Sequence, residues 1–225
     1  QSAMSEHGFT LQECPAGPSR ETLAAYQALA VANISDAMSR ATGTSALRPM
    51  HRSRRILGRA YTVRTRPGDN LMVHKAIDAA EPGDVIVVDA GGDMNNAIIG
   101  EIMVGWAARR GLAGFVIDGA IRDSETIGAG EFPVYARGVA HRGPYKDGPG
   151  AINVPVSIDG MVVLPGDLLV GDADGLLAIR PDEAPAIAER VRAIAAAEAR
   201  VLEDIASGTL ERAWVDATLK ARGVL

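Results

Sequence analysis

Apolar positions along the chain follow two periods, one helical and one of alternating strand residues. In 19–30, SRETLAAYQALA, Leu23, Tyr26 and Leu29 recur at helical spacing behind a Ser-Arg-Glu-Thr start, which predicts a helix. NISDAMSRA (33–41) predicts a second short helix capped by Ser35. RRILGRAYTVRTR (54–66) alternates loosely and reads as strand, PGDN (67–70) as turn, and NLMVHKAIDAA (70–80) as helix. After the EPGD turn (81–84), VIVVDAGG (85–92) reads as a buried strand ending in a Gly-rich bend. NNAIIGEIMVGWAARRG (95–111) is predicted as one amphipathic helix, with Ile99, Ile102, Met103 and Trp106 on one face and Gly111 at its end. AGFVID (113–118) is the next buried strand, SETIGAG a helical turn and FPVYARG (132–138) another strand. Strand, helix, strand, helical turn and strand in succession predict an α/β fold with a largely parallel sheet.

Beyond this the pattern changes. HRGPYKDGPGAINVP (141–155) is a long Gly/Pro loop, and 154–181 holds short apolar runs broken by DG, PGD and DADG, which is hairpin grammar. Residues 182–208 are Ala-rich and helical, and LERAWVDATLKARG (210–223) forms a last helix. Pro-Gly-Asp turns end at Asp69, Asp84 and Asp167 at irregular spacing, so they are repeated turn chemistry and not a repeat architecture. The organisation expected is one domain, 5–225, whose C-terminal part (182–225) is a helical tail. The opening QSAM reads as an expression scar ahead of a native start at Met4.

Composition narrows the function classes. Aromatics make up 4% of the 225 residues, so the core must be built from Ala, Val, Ile and Leu. A net charge of −5 without a basic stripe argues against a nucleic-acid partner. No apolar run reaches the ~18–20 residues of a membrane span, and no secretory signal is visible. Cys14 is the one cysteine, which excludes an internal disulfide and suits a cytoplasmic location.

Candidate chemistry gathers at two places. The segment FVIDGAIRDSETI (115–127) passes from an apolar run to Asp118 and Gly119, and then to adjacent Arg122 and Asp123. In a crossover unit the end of strand 113–118 and the start of the helix after strand 85–90 fall on the same carboxyl edge, where open α/β sheets bind ligands. Twenty residues, Ile102 to Ile121, separate Glu101 from Arg122-Asp123, the length of one helix and one strand. Asp123 and Glu101 are hard oxygen donors suited to Mg²⁺, with Mn²⁺ as the alternative. Arg122 offers a planar fork for a carboxylate, and amides around Ile102 and Met103 offer a further anion cradle. Each feature alone reads as an ordinary polar turn or helix start; their spacing makes a socket for a 2-oxo acid.

Other candidates carry less. His74 falls in a predicted helix and reads first as a packed or surface residue. Lys75, Lys146 and Lys220 are the three lysines, and none ends a predicted strand, so Schiff-base chemistry has little support. Neither HxxxH nor CxxC spacing occurs, and no glycine-rich nucleotide loop follows a strand, which leaves a methyltransferase reading without a signature.

The segments ISDAM, RPGDN, GEIMVGWAARRGLAGFVIDGAIRD, FPVYARG and NVPVSIDGMVVLPGDLLVGDADG resemble the class II pyruvate aldolases. Those enzymes cleave 4-hydroxy-4-methyl-2-oxoglutarate and 4-carboxy-4-hydroxy-2-oxoadipate and share their fold with the regulator of ribonuclease E activity. The fold implied is a single-domain layered α/β/α sandwich of the β/β/α swivelling type. The aldolases carry an acid, twenty residues, then Arg-Asp, matched here by Glu101, Arg122 and Asp123. The resemblance implies Asp123 as direct metal ligand, Glu101 and a neighbouring subunit's Glu198 as ligands through water, and Arg122 as the group that binds substrate and steadies the enolate. The amides at Gly100, Ile102 and Met103 would hold the pyruvyl carboxylate. It further implies a homotrimer or homohexamer, pyruvate and oxaloacetate among the oxo acids bound, and oxaloacetate decarboxylation as a second activity. The rival it raises is a non-catalytic regulator that binds a ribonuclease. Glu stands at position 101 where the best-known aldolases have Asp.

Overall fold

The computed structural model describes residues 7–225; the expected start at Met4 lies outside them. In chain order the elements are β1 (Thr10–Leu11), α1 (Arg20–Tyr26), α2 (Val31–Ala37), β2 (Arg48–Pro49), β3 (Ile56–Thr65), α3 (Leu71–Ala79), β4 (Asp84–Asp89), β5 (Ala97–Ile99), α4 (Glu101–Arg109) and β6 (Gly114–Ile121). They continue with α5 (Ser124–Ala129), β7 (Val134–Val139), β8 (Gly150–Ile152), β9 (Val156–Ile158), β10 (Met161–Val163), β11 (Leu168–Asp172), β12 (Gly175–Ile179), α6 (Ala184–Ser207) and α7 (Ala213–Ala221).

Strands β3, β4, β6 and β7 lie side by side and parallel, in sequence order. Each is joined to the next through a helix, which is how parallel neighbours must be connected. Antiparallel additions make the sheet mixed: β8 and β11 pair with β3, and β2 pairs with β7.

Side-chain alternation on the central strands builds two cores. Ile86 and Val88 of β4, with Phe115 and Ile117 of β6, face α3, α4 and α5, where Val73, Ile77, Met103 and Ile127 meet them. Val85, Val87, Val116 and Tyr135 face the other way, onto Val156, Ile158, Met161, Val163 and Leu169 of the hairpins β9–β10 and β11–β12. A third cluster packs α1, α2 and the first turns of α6 on Leu168, Val170, Leu177 and Ile179. The expected single-domain layered α/β architecture is therefore present, as a sheet covered by helices on one face and by further strands and helices on the other. In α6 the buried positions stop at Val191, and none of α7 is buried, so the helical tail predicted over 182–225 packs on the body through its first turns and is largely exposed beyond them. Among the described residues no helix is long and apolar enough to cross a membrane.

The Pro-Gly-Asp turns have one physical basis. Gly68, Gly83 and Gly166 take φ of 76°, 91° and 87°, which only glycine adopts without strain. The aspartates at their ends are buried and each meets an arginine: Asp69 with Arg66, Asp84 with Arg59, Asp167 with Arg180.

Three expectations need correction. The predicted helix 95–111 is a short strand, β5, followed by the nine-residue α4, because Ala97–Ile99 pair with the end of β6. Its proposed apolar face is also not a buried face: Met103 is buried, but Ile102 is 80% and Trp106 50% exposed. Finally, α2 begins at Val31 behind Ala30, with no side-chain cap, so Ser35 lies inside the helix.

Candidate active site

Strand β6 runs to Ile121, past Asp118 and Gly119, with a register shift against β7 between Ile117 and Ala120. Asp118 therefore lies within the strand and outside the cavity wall described below. Its carboxylate accepts from Arg137 Nε and from the backbone N–H of Asp159 at 2.8 Å. Gly119 allows close approach of the 90–93 bend; an added Cβ would stand 3.1 Å from Asp93 O and 3.2 Å from Ala90 Cβ.

Arg122 and Asp123 follow at the carboxyl end of β6. The Arg122 N–H donates to Ile99 O at 3.0 Å, which holds the end of β6 against β5. Asp123 sits in the left-handed region at φ 56°, ψ 36°, a conformation in which Asp and Asn are enriched. That turn brings its Oδ2 within 2.9 Å of the Glu101 N–H, and Arg122 Nε lies 3.9 Å from the same oxygen. Gly100 completes the contact: a Cβ there would overlap Asp123 Oδ2 and stand 3.1 Å from Arg122 Cγ.

The first turn of α4 supplies donors. Four N–H groups at a helix start have no intrahelical partner. Here the first intrahelical bond runs from Val104 N–H to Gly100 O; ahead of it Glu101 N–H goes to Asp123, and the amides of Ile102 and Met103 have no acceptor among the described residues. Met103 itself is buried below them.

These residues share one cavity of about 100 Å³, lined by Gly100, Ile102, Met103, Arg122 and Asp123 together with Asn70, His74, Ile98, Ile99, Pro144 and Lys146. Such a volume is far below the ~300–1,000 Å³ of drug-sized pockets and suits a small acid. Of the sequence-predicted residues, Gly100, Ile102, Met103, Arg122 and Asp123 are brought together in its wall. Glu101 contributes its backbone N–H, and its side chain is exposed and outside the wall. Glu198, on α6, accepts from Asn33 Nδ2 at 2.7 Å and stands away from this wall within its own chain.

The donor set fits a hard divalent ion. Asp123 is 37% exposed, with one oxygen anchored on the Glu101 amide. Among the described residues no three His, Cys, Asp or Glu side chains converge, so a closed zinc-type site is not formed. One carboxylate with water and substrate completing the shell is how Mg²⁺ is commonly held.

Residues 31–178 match the family described as RraA-like, Aldolase/RraA. The chain belongs to this RraA-like family. A protein of Halalkalibacterium halodurans provisionally named 4-hydroxy-4-methyl-2-oxoglutarate aldolase is 48% identical over 147 residues, 65% of this chain and 70% of its own. A solved structure of an uncharacterised protein from Pseudomonas syringae pv. tomato superposes with a TM-score of 0.77 at 30% identity, covering 86% of this chain and 96% of that one. The RNA-processing inhibitor RraA from Thermus thermophilus superposes at 0.62 and 31% identity, over 68% of this chain and 92% of its own. The resemblance drawn from the quoted segments is thus borne out at the level of family and fold.

The cavity wall also contains Asn70 and Lys146, which sequence reasoning does not place there, and His74, which it reads first as a packed or surface residue. Asn70 ends the PGDN turn and is buried; its Nδ2 donates to Ile98 O at 2.9 Å and Met103 Sδ at 3.3 Å, while its Oδ1 has no partner among the described residues. His74 lies one turn further, and Lys146 comes from the long loop dismissed as Gly/Pro connection. Burial, and then the charge of Lys146, hold His74 below its ordinary pKa, with Asp78 acting the other way. The available signal was the Asn70–His74 spacing of four, which puts both on one helix face. Cys14, read as structural, is partly buried, with its thiol pushed up to about 11 by burial.

Proposed function

We propose that this chain is a divalent-metal-dependent lyase of 4-hydroxy-2-oxo acids, releasing pyruvate and a second oxo acid. The observation that carries the reading is the small cavity lined by Arg122 and Asp123 together with Ile102 and Met103, whose amides have no acceptor among the described residues. The substrate's C1 carboxylate would lie on the Ile102 and Met103 N–H groups, which also stand at the positive end of a helix. A divalent ion held by Asp123, with Glu101 near it, would polarise the 2-oxo group when bound. The C4 hydroxyl loses its proton to water, the C3–C4 electron pair moves to C3, and the pyruvate enolate so formed is protonated at C3. Arg122 faces the charge that develops on the 2-oxo oxygen and steadies it more in the transition state than in the ground state. Oxaloacetate decarboxylation yields the same enolate and is included in the proposal. A homotrimer or homohexamer, with Glu198 of a neighbour reaching the site, is proposed on the same resemblance.

The test is pyruvate release from a panel of 4-hydroxy-2-oxo acids and oxaloacetate, with and without a chelator. Chelator-sensitive release is expected; chelator-resistant turnover, or no release from any substrate, overturns the reading. A second reading, a non-catalytic regulator of ribonuclease activity, is favoured by the likeness to the Thermus RNA-processing inhibitor. It predicts no pyruvate release and inhibition of a purified ribonuclease E.

A further inference from the structure

Little in its own neighbourhood bonds the Arg122 guanidinium. The side chain is 44% exposed, and among the described residues it meets one carboxylate oxygen, Asp123 Oδ2, at 3.9 Å, too far for a hydrogen bond. Two glycines bracket it instead. An added Cβ at Gly100 would stand 3.2 Å from Arg122 Nε, and one at Gly143 would stand 3.1 Å from Nη1. Among the described residues, chain neighbours apart, that Gly143 Cβ would meet no other atom within 4 Å, so this face of Gly143 is turned on the guanidinium alone.

Gly143 is held there by the same segment that holds the Arg122 backbone. Asn96 Nδ2 donates to Gly143 O at 2.7 Å, and the Ala97 N–H donates to Arg142 O at 2.8 Å. Ala97 opens β5, whose last residue, Ile99, accepts from the Arg122 N–H at 3.0 Å. The loop that carries Gly143 starts at the same edge, where the Ala140 N–H donates to Ile121 O at 2.9 Å. Asn96 is itself set in the bend before β5, its N–H reaching Asp93 Oδ2 at 3.3 Å. One short strand and the residue before it thus fix both ends of the Arg122 side chain, the backbone through Ile99 and the guanidinium through Asn96 and Gly143.

We propose that Asn96 and Gly143 are positioning residues for Arg122, whose contact sets the plane of its guanidinium fork toward the anion in the cavity. The proposal rests on the lyase reading for the identity of that anion, an enolate. Neither residue lines the cavity, so each acts through Arg122. Gly143 serves by having no side chain: a fork without a hydrogen bond of its own keeps its angle by packing, and a methyl group at 143 displaces Nη1 by a few tenths of an ångström. A bidentate fork is misaligned by such a shift, whereas a lysine, a flexible point charge, tolerates it.

The experiment compares the wild type with Gly143→Ala, Asn96→Ala, Arg122→Lys and Gly143→Ala in the Arg122→Lys background. Pyruvate release from oxaloacetate is measured, and binding of oxalate, a planar mimic of the enolate, is followed by calorimetry at fixed Mg²⁺. Gly143→Ala and Asn96→Ala should each lower kcat by about tenfold with KM within about twofold, and weaken oxalate by a similar factor, because the displacement is smaller than the ~1 Å that costs ~10²-fold. In the Arg122→Lys background Gly143→Ala should change either quantity by less than about twofold, the margin within which independent effects add. A loss that persists undiminished in that background overturns the positioning role, since a merely structural effect would persist there. A kcat and an oxalate affinity both within about twofold of wild type in a single variant overturn the role of the residue changed. Oxalate binding that both variants weaken, without pyruvate release by the wild type, sinks the lyase reading and upholds the positioning. Turnover that neither variant lowers sinks the positioning alone, and a wild type that neither releases pyruvate nor binds oxalate overturns both.

Discussion

The backbone N–H of Glu101 donates to Oδ2 of Asp123 at 2.9 Å, so the first residue of α4 orients the carboxylate that begins α5. The contact joins two helix starts 22 residues apart, at the carboxyl ends of β5 and β6. It depends on Gly100, whose backbone is ordinary extended chain at φ −146°, ψ −168°. Glycine is needed there for space and not for conformational freedom.

Gly100→Ala should therefore act on the site more than on the fold. The added methyl overlaps Asp123 Oδ2, and the carboxylate must move away from the amide. A displacement of about 1 Å can cost on the order of 10²-fold in turnover. Pyruvate release and Mn²⁺ binding followed by electron paramagnetic resonance should both fall, with a melting temperature close to wild type. Undiminished Mn²⁺ binding would show that the contact does not position the carboxylate.

Asp123→Asn and Asp123→Ala should separate charge from conformation. Asn tolerates the left-handed backbone, so its variant should keep its stability and lose metal binding and turnover. Ala at φ 56° should lose the same activity and also about 1–2 kcal/mol of stability. Urea titration of the three proteins checks the order; equal stability of the Ala and Asn variants would contradict it.

Arg122→Lys keeps the charge and loses the two-pronged donor. The loss should appear in kcat, on the order of 10²-fold, because the interaction strengthens as the enolate forms. Steady-state kinetics with oxaloacetate and a 4-hydroxy-2-oxo acid at saturating Mg²⁺ read it out. An unchanged kcat with both substrates would remove Arg122 from the reaction.

His74 gives a pH dependence with a definite sign. Its folded pKa lies below the unfolded value of 6.5, from burial first and Lys146 second, against Asp78. The neutral ring is the form the fold favours, so this contribution is full above 6.5 and declines as pH falls from there through the folded pKa. Lys146→Met should raise the His74 titration midpoint, followed by its ring C–H resonances in NMR. A midpoint that does not move would mean that Lys146 does not act on the ring.

Asp118→Ala should cost stability instead of metal affinity. It removes the main partner of the Arg137 guanidinium, which is 27% exposed, in a pair whose acid is 6% exposed. Breaking a buried pair from one side costs about 3–5 kcal/mol, and solvent access to Arg137 puts the expectation at the lower end. Chemical denaturation measures it, and a change under about 1 kcal/mol would place the pair among ordinary surface contacts.

Local physics was legible without the fold. The run 85–92 reads as a buried strand, and its Val85 and Val87 face one core while Ile86 and Val88 face the other. Ser19 capped the first helix as its position implied, accepting from Thr22 N–H at 3.1 Å. The adjacency of Arg122 and Asp123, and their distance in chain from Glu101, followed from the length of one helix and one strand. What failed was the run 95–111, whose first residues read as helix although the end of β6, beyond its last pairing with β4, offers them a ladder.

The sequence by itself determined most element types, though not β5, and with them the Pro-Gly-Asp turns and the Arg-Asp pair, because each depends on neighbours within a turn or on one crossover length. Only the tertiary structure decided which of these became a cavity. Asp118 and Asp123 stand five residues apart and look alike in sequence, yet a register shift and Arg137 turn the first into a buried support. Asn70, His74 and Lys146 meet because Asp69 accepts from amides 78 and 79 residues away. Hydrogen bonds of that range form between groups that no local periodicity relates, so their partners are fixed only when the packed sheet brings both segments to one edge.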